Sequence, residues 1–205
     1  MTADEFAGLV GETLTHVTLA ENMPGVRALG LMRPMMLARL AKRKPGDLLL
    51  RDERLQLDLG KHTARLNSQF ALRFGIASAA TFLDGHTIES WSEQLDGRIY
   101  FWPQAGGEAF GESHGEHRTS TLVLDSRRFF ERLGPAIDLA PVNTGSARRK
   151  PARRGDWIYV PATRASEDFR LNRVRMGLKK TPDTVTEVSL RADIPPDILQ
   201  AIMAG

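Results

Sequence analysis

THVTLAENMPGVRALGLM, residues 15–32, sets a histidine and a threonine two apart on an apolar strand and turns at once into a helix. Residues i and i+2 of a strand share a face. His16 and Thr18 therefore look the same way, and Val17 and Leu19 face the opposite layer. Asn22 is suited to cap the helix, Pro24 to its first turn and Gly30 to its stop. A core histidine with a satisfied hydrogen bond is the plain explanation of His16, and the spacing alone favours it.

Working outward, residues 3–12 form a short amphipathic helix ahead of this strand, and a second helix is expected beyond Pro34 with Met35, Leu37, Leu40 and Ala41 on its apolar side. LLLRDERLQL is ambiguous between extended and helical structure. Residues 67–95 read as two helical pieces separated by the turn DGH. RIYFWP, after a second turn at Asp96-Gly97, is an aromatic strand. TSTLVLDS is a strand leading into the helix RRFFERL. IDLAPVNTG and GDWIYVPAT read as short strands, and TEVSLRADIPPDILQAIM as strand, Pro-Pro turn and final helix. Helices crowd the first half and strands the second. The expected fold class is α+β, a single domain over residues 1–205 whose sheet is antiparallel or mixed.

Composition narrows the chemistry. The 205 residues include no cysteine, which excludes disulfides, thiol nucleophiles and thiolate-bound zinc. An acidic N-terminus and the lack of a long apolar run point to a cytoplasmic protein that does not enter a membrane. The net charge of +3 is unevenly spread: eleven basic and three acidic residues fall between Pro141 and Lys180. Such a segment attracts phosphates or is simply a solvated basic loop, and both readings stay open. No GxGxxG, Walker or GxSxG motif occurs. His114 and His117, in HGEH, lie in a glycine-rich stretch at a spacing that is no zinc signature, so no metal is expected.

Three segments together carry a resemblance. HVT…N…V…GL from His16, the strand RIYFWP and the stretch TEVSLRADIPPDILQAI resemble, in order and spacing, bacterial ADP-ribosyltransferases of the DarT type. PVNTG…RRGDWIYVP is similar to an uncharacterised bacterial branch with the same outline. The resemblance covers nearly the whole chain, although each motif alone is weak. It implies an ADP-ribosyltransferase-like split sheet and NAD as substrate. It also implies a cofactor set of His16, Thr18, Asn22, Gly30, Arg54, Tyr100 and Trp102, with Glu187 and Arg51 as catalytic residues. Arg51 and Arg54 compete for the arginine of the family pattern, and the segment QLDLGKHTARLNSQF that follows them departs from it.

The residue types suit that chemistry. Cleavage of the nicotinamide–ribose bond develops positive charge on the sugar, which a nearby carboxylate stabilises. Glu187 and Ser189 alternate with Val188 and Leu190, so an apolar side packed inward turns Glu187 toward the cleft beside His16. An arginine fork matches a diphosphate, His16 can donate to a ribose, and Tyr100 or Trp102 can pack on nicotinamide. By the same resemblance Phe169, Arg170, Arg173, Arg175 and Lys179 occupy the place of that superfamily's acceptor-selecting segment, and they suit a nucleic-acid backbone with a stacked base. A protein acceptor and a partner antitoxin or immunity protein are compatible with the same resemblance. The alternatives are an NAD glycohydrolase and a non-catalytic nucleic-acid-binding module.

Overall fold

The computed structural model describes residues 1–103, 118–148, 151–178 and 184–204. His114, His117, Lys179 and Lys180 lie outside them.

Helix α1 (Ala3–Val10) opens on a capping box made by Thr2 and Glu5. It precedes β1 (Thr13–Leu19), which pairs along its whole length with β5 (Thr119–Asp125). The next elements are α2 (Met23–Leu29), α3 (Pro34–Leu40) and the hairpin β2–β3 (Leu55–Asp58 and Thr63–Leu66). Two one-turn helices, α4 (Phe70–Arg73) and α5 (Ala79–Phe82), lead to α6 (Ile88–Asp96) and β4 (Ile99–Pro103). After β5 come α7 (Ser126–Leu133), β6 (Ile137–Ala140), β7 (Val160–Pro161), α8 (Ser166–Arg175), β8 (Glu187–Leu190) and α9 (Pro196–Ile202).

The fold is α+β. Among the described residues six strands form one sheet in the order β5-β1-β4-β8-β6-β7, and each neighbouring pair is antiparallel. One face of the sheet buries Phe101, Val188, Leu139 and Ile137 with Phe6, Phe129 and Phe169. At the other face, Trp91 and Tyr159 stack in a second cluster. Among the described residues no helix is long and apolar enough to cross a membrane.

One irregularity positions the site. β1 and β4 pair only through Leu14–Pro103 and Thr15–Trp102. At the next step the His16 side chain, through Nδ1, meets the Tyr100 carbonyl at 2.8 Å where a ladder would place a backbone donor. The ladder stops there, and a cavity opens beside it.

Several local expectations change. Asn22 does not cap a helix, because a 3₁₀ turn over Ala20–Asn22 runs straight into α2 and leaves Asn22 in helical conformation. The inward side of α3 is Ala38 with Leu37 and Ala41, while Met35 and Leu40 are exposed. Leu55–Leu66 is a hairpin. Residues 156–158 form a 3₁₀ turn in place of a strand. The basic segment after Arg164 is largely helix α8.

Candidate active site

A cavity of about 330 Å³ lies where the sheet splits. That is at the lower end of the range for small-molecule sites. His16, Thr18, Asn22 and Gly30 line it, together with Arg51, Arg98, Tyr100, Trp102 and Glu187. By strand register His16 falls on the Phe101–Val188 side of the sheet, whereas Glu187 shares the side of Tyr100 and Ser189. They are thus not neighbours on one face as expected. Both reach the cavity because it sits at the split, where the two faces cease to be separated.

Glu187 is 3% exposed. The Thr144 hydroxyl donates to its Oε1 at 2.5 Å, and the Thr144 main chain adds a second hydrogen bond. Burial pushes the carboxyl up from 4.5 to about 7, opposed by those bonds and by the Arg154 and Arg98 guanidiniums. Thr144 is itself held. Its carbonyl accepts from Trp91 Nε1 at 3.0 Å and from Arg154 Nη1 at 2.9 Å. The segment PVNTG is thereby fixed as a clamp on the carboxylate, a role that its sequence, 43 residues away, gives no sign of.

Tyr100 and Tyr159 bring their hydroxyls within 3.5 Å beside this carboxylate. Burial raises both phenols, Tyr159 to about 12 and Tyr100 well above its ordinary value, so both remain protonated donors. Arg98 lies over the Tyr159 ring at 3.8 Å, and its Nη1 donates to Asp138 and Ser189. Asp138 also accepts from Arg191. This buried ion pair anchors the floor of the site.

On the β1 side, a carbonyl can only accept, so the His16 proton resides on Nδ1 and Nε2 is left as an acceptor. Burial lowers the imidazole pKa, which keeps it neutral. The expected donor is therefore an acceptor toward the cavity. Thr18 supplies the donor: its Oγ1 accepts from Asn22 Nδ2 at 3.0 Å, leaving its own proton available. Asn22 also pairs with both backbone groups of Arg65, at 2.7 and 3.0 Å, as a strand neighbour would. This tie places the β2–β3 hairpin against the cavity, which Ala64, Arg65 and Leu66 help to line.

The arginines sort differently from expectation. Arg51 lines the cavity, but its fork grips Asp96 at 2.7 and 3.0 Å and its remaining bonds go to the Asn67 and Leu48 carbonyls. A phosphate would have to displace a buried carboxylate to use it. Arg54 does not line the cavity. Arg65 does, with a half-exposed guanidinium paired to the exposed Glu21. The sequence reading missed it because the hairpin was not recognised.

Of the expected acceptor set, Phe169 is fully buried in the core and cannot stack a base. Arg173 is buried and donates to the Thr184 carbonyl at 2.6 Å. Arg170 bonds within its own helix to Ser166 and Glu167. Arg175 is exposed and lies over Trp157 at 5.2 Å. Lys179 is outside the described residues.

A different trio has the connectivity of a catalytic triad: His86 bonds Ser90 Oγ at 3.1 Å and Asp156 Oδ1 at 3.0 Å. Ser90 Oγ is committed to the start of α6, bonding both the N–H and the carbonyl of Thr87. The trio ties α6 to the Asp156 turn, with no free nucleophile.

One family profile spans this architecture over residues 12–202, that of the "Family of unknown function (DUF7002)". The chain belongs to it. The match takes in both ends of the site, from the His16 strand to the helix after Glu187. No curated protein and no solved structure matches the chain.

Proposed function

We propose that this member of the DUF7002 family is an NAD-dependent ADP-ribosyltransferase that releases nicotinamide and passes ADP-ribose to a nucleic-acid or protein acceptor. The observation that carries the reading is a buried carboxylate, Glu187, clamped by Thr144 in the wall of the cavity that His16, Thr18 and Tyr100 also line. The paired acceptor and donor of His16 and Thr18 suit two ribose hydroxyls. Arg65 suits the diphosphate, since releasing it costs an exposed ion pair with Glu21 and an exposed hydrogen bond to Gln56 Oε1 and strands no buried charge. The aromatic wall of Tyr100 and Trp102 suits nicotinamide.

In this scheme the bond between the ribose anomeric carbon and the nicotinamide nitrogen breaks, and its electron pair leaves with nicotinamide. Glu187 faces the positive charge left on the sugar. An acceptor atom then bonds to the anomeric carbon and passes its proton to the Glu187 carboxylate. The pyridinium of bound NAD is itself cationic and draws the Glu187 carboxyl toward its ionised form. The burial of Phe169 and Arg173 favours a second reading in which water is the acceptor and the chain is an NAD glycohydrolase.

Chromatography of NAD incubated with the protein, with and without single-stranded DNA or RNA, tests both. Nicotinamide release that is lost in Glu187→Gln supports the cleavage step. ADP-ribose on an acceptor distinguishes transfer from hydrolysis. No release under any condition refutes both readings.

A further inference from the structure

The chain has two tyrosines, Tyr100 and Tyr159, and both lie beside Glu187. Their hydroxyls stand 3.5 Å apart. That of Tyr159 is hydrogen-bonded to the Thr144 hydroxyl, which in turn reaches Glu187 Oε1 at 2.5 Å. Tyr100, Tyr159, Thr144 and Glu187 are thus linked in a row, gathered from β4, the residue before β7, the PVNTG segment and β8. The row is held in order from the side. Tyr159 stacks on Trp91 with centroids 5.8 Å apart, and the Arg98 guanidinium lies over its ring. Glu187 is almost wholly buried, whereas Tyr100, at the far end, is partly exposed and lines the cavity.

Hydroxyl valence fixes the direction of the row in each state of Glu187. An ionised carboxylate can only accept, so Thr144 donates to it, Tyr159 donates to Thr144 and Tyr100 donates to Tyr159. A protonated Glu187 can donate to Thr144, and every hydroxyl then turns the other way. The Tyr100 proton is left pointing out of the row. The two states differ by one proton, and no hydroxyl is charged in either.

We propose that these four residues form a proton relay through which Glu187 exchanges its proton with the cavity at Tyr100. The proton that Glu187 takes from the acceptor passes to Thr144 Oγ1 as the Thr144 proton passes to the Tyr159 oxygen. The Tyr159 proton passes to the Tyr100 oxygen, and the Tyr100 proton to water in the cavity. Each O–H bond broken is matched by one formed, and Glu187 is again a carboxylate. Tyr159 and Tyr100 act on the reaction through Glu187, as positioning residues. Arg98 and Arg154 are the cations that face the row, and Asp138 is paired with Arg98. As a step of turnover the relay rests on the transferase reading above; as a coupled titration it can be measured without NAD.

The test is NMR of the full chain labelled at the tyrosine Cζ carbons, without NAD, across the Glu187 midpoint of about 7. The two resonances of the wild type should both shift with that midpoint, and neither should do so in Glu187→Gln. Tyr159→Phe cuts the row, so the Tyr100 resonance should lose most of its shift, whereas in Tyr100→Phe the Tyr159 resonance should keep it. Thr144→Val cuts the row next to the carboxyl and should silence both. A Tyr100 resonance that still follows Glu187 in folded Tyr159→Phe or Thr144→Val protein shows coupling through space alone and overturns the proposal. Wild-type tyrosines that do not titrate together overturn it as well. In turnover, Tyr159→Phe should lower kcat several-fold with little change in KM and reduce the solvent deuterium isotope effect, and unchanged values would overturn the role in catalysis. Wild-type protein that releases no nicotinamide refutes the transferase reading and leaves the coupled titration intact, so the two fail separately.

Discussion

Replacing Glu187 by glutamine should make the protein more stable at alkaline pH than at acid pH relative to wild type. In the folded chain burial raises this carboxyl from 4.5 to about 7. Between those values the folded state keeps a proton that the unfolded chain has released. The contribution of the group is therefore fully present below 4.5 and is lost as pH rises through about 7. At about 1.4 kcal/mol per pH unit, the loss amounts to about 3 kcal/mol well above neutrality. Glutamine cannot titrate and is spared it. The amide introduces an N–H₂ where the site offers hydrogen-bond donors from Thr144, a penalty that does not change with pH. Urea unfolding followed by tryptophan fluorescence at about pH 5 and about pH 8 separates the two effects. The variant-minus-wild-type difference should move in the variant's favour by about 2 to 3 kcal/mol across that interval. A difference that stays constant with pH would refute the assignment of Glu187 as a carboxyl held near neutrality by burial.

Thr144→Val keeps the shape of the clamp and removes its hydroxyl, so the Glu187 carboxyl should rise further and the acid limb of any pH–rate profile should move to higher pH. An unmoved limb would count against the clamp. Arg51→Ala should cost stability, about 3 to 5 kcal/mol, by leaving Asp96 buried and unpaired, whereas Arg65→Ala should leave the denaturation midpoint nearly unchanged and weaken NAD binding. The reverse pattern in denaturation and calorimetry would restore Arg51 as the diphosphate ligand. Gly30→Ala should destabilise the fold, because Gly30 has φ 86° and a side-chain carbon there would strike the Ile194 carbonyl. A wild-type melting temperature would contradict this.

How far the site could be read in advance follows from the range of the interactions that make it. The pairing of His16 with Thr18 and the alternation around Glu187 are local, set by the period of a strand, and all three residues do line the cavity. The positive-φ stop at Gly30 was likewise legible. The face shared by His16 and Glu187 was not, because it depends on a ladder between β1 and β4 that ends after two pairs. Thr144, Arg98 and Tyr159 became neighbours of Glu187 only through long-range folding. Arg65 was hidden by a hairpin of two four-residue strands, too short for their alternation to stand out. Helix α8 misled for a chemical reason: it buries Asn172 and Arg173 beside Phe169 and exposes Leu171 and Val174, so its polarity does not reveal its inward side.

The central claim is that NAD occupies the cavity at the split of the sheet, and calorimetry with the Glu187→Gln protein tests it without turnover. The account predicts one site per chain. A further His16→Ala change should weaken binding by about 1 to 3 kcal/mol, the cost of removing the partner of a buried hydroxyl. An absence of measurable NAD binding, or an equal affinity in a folded protein lacking the His16 imidazole, would contradict it.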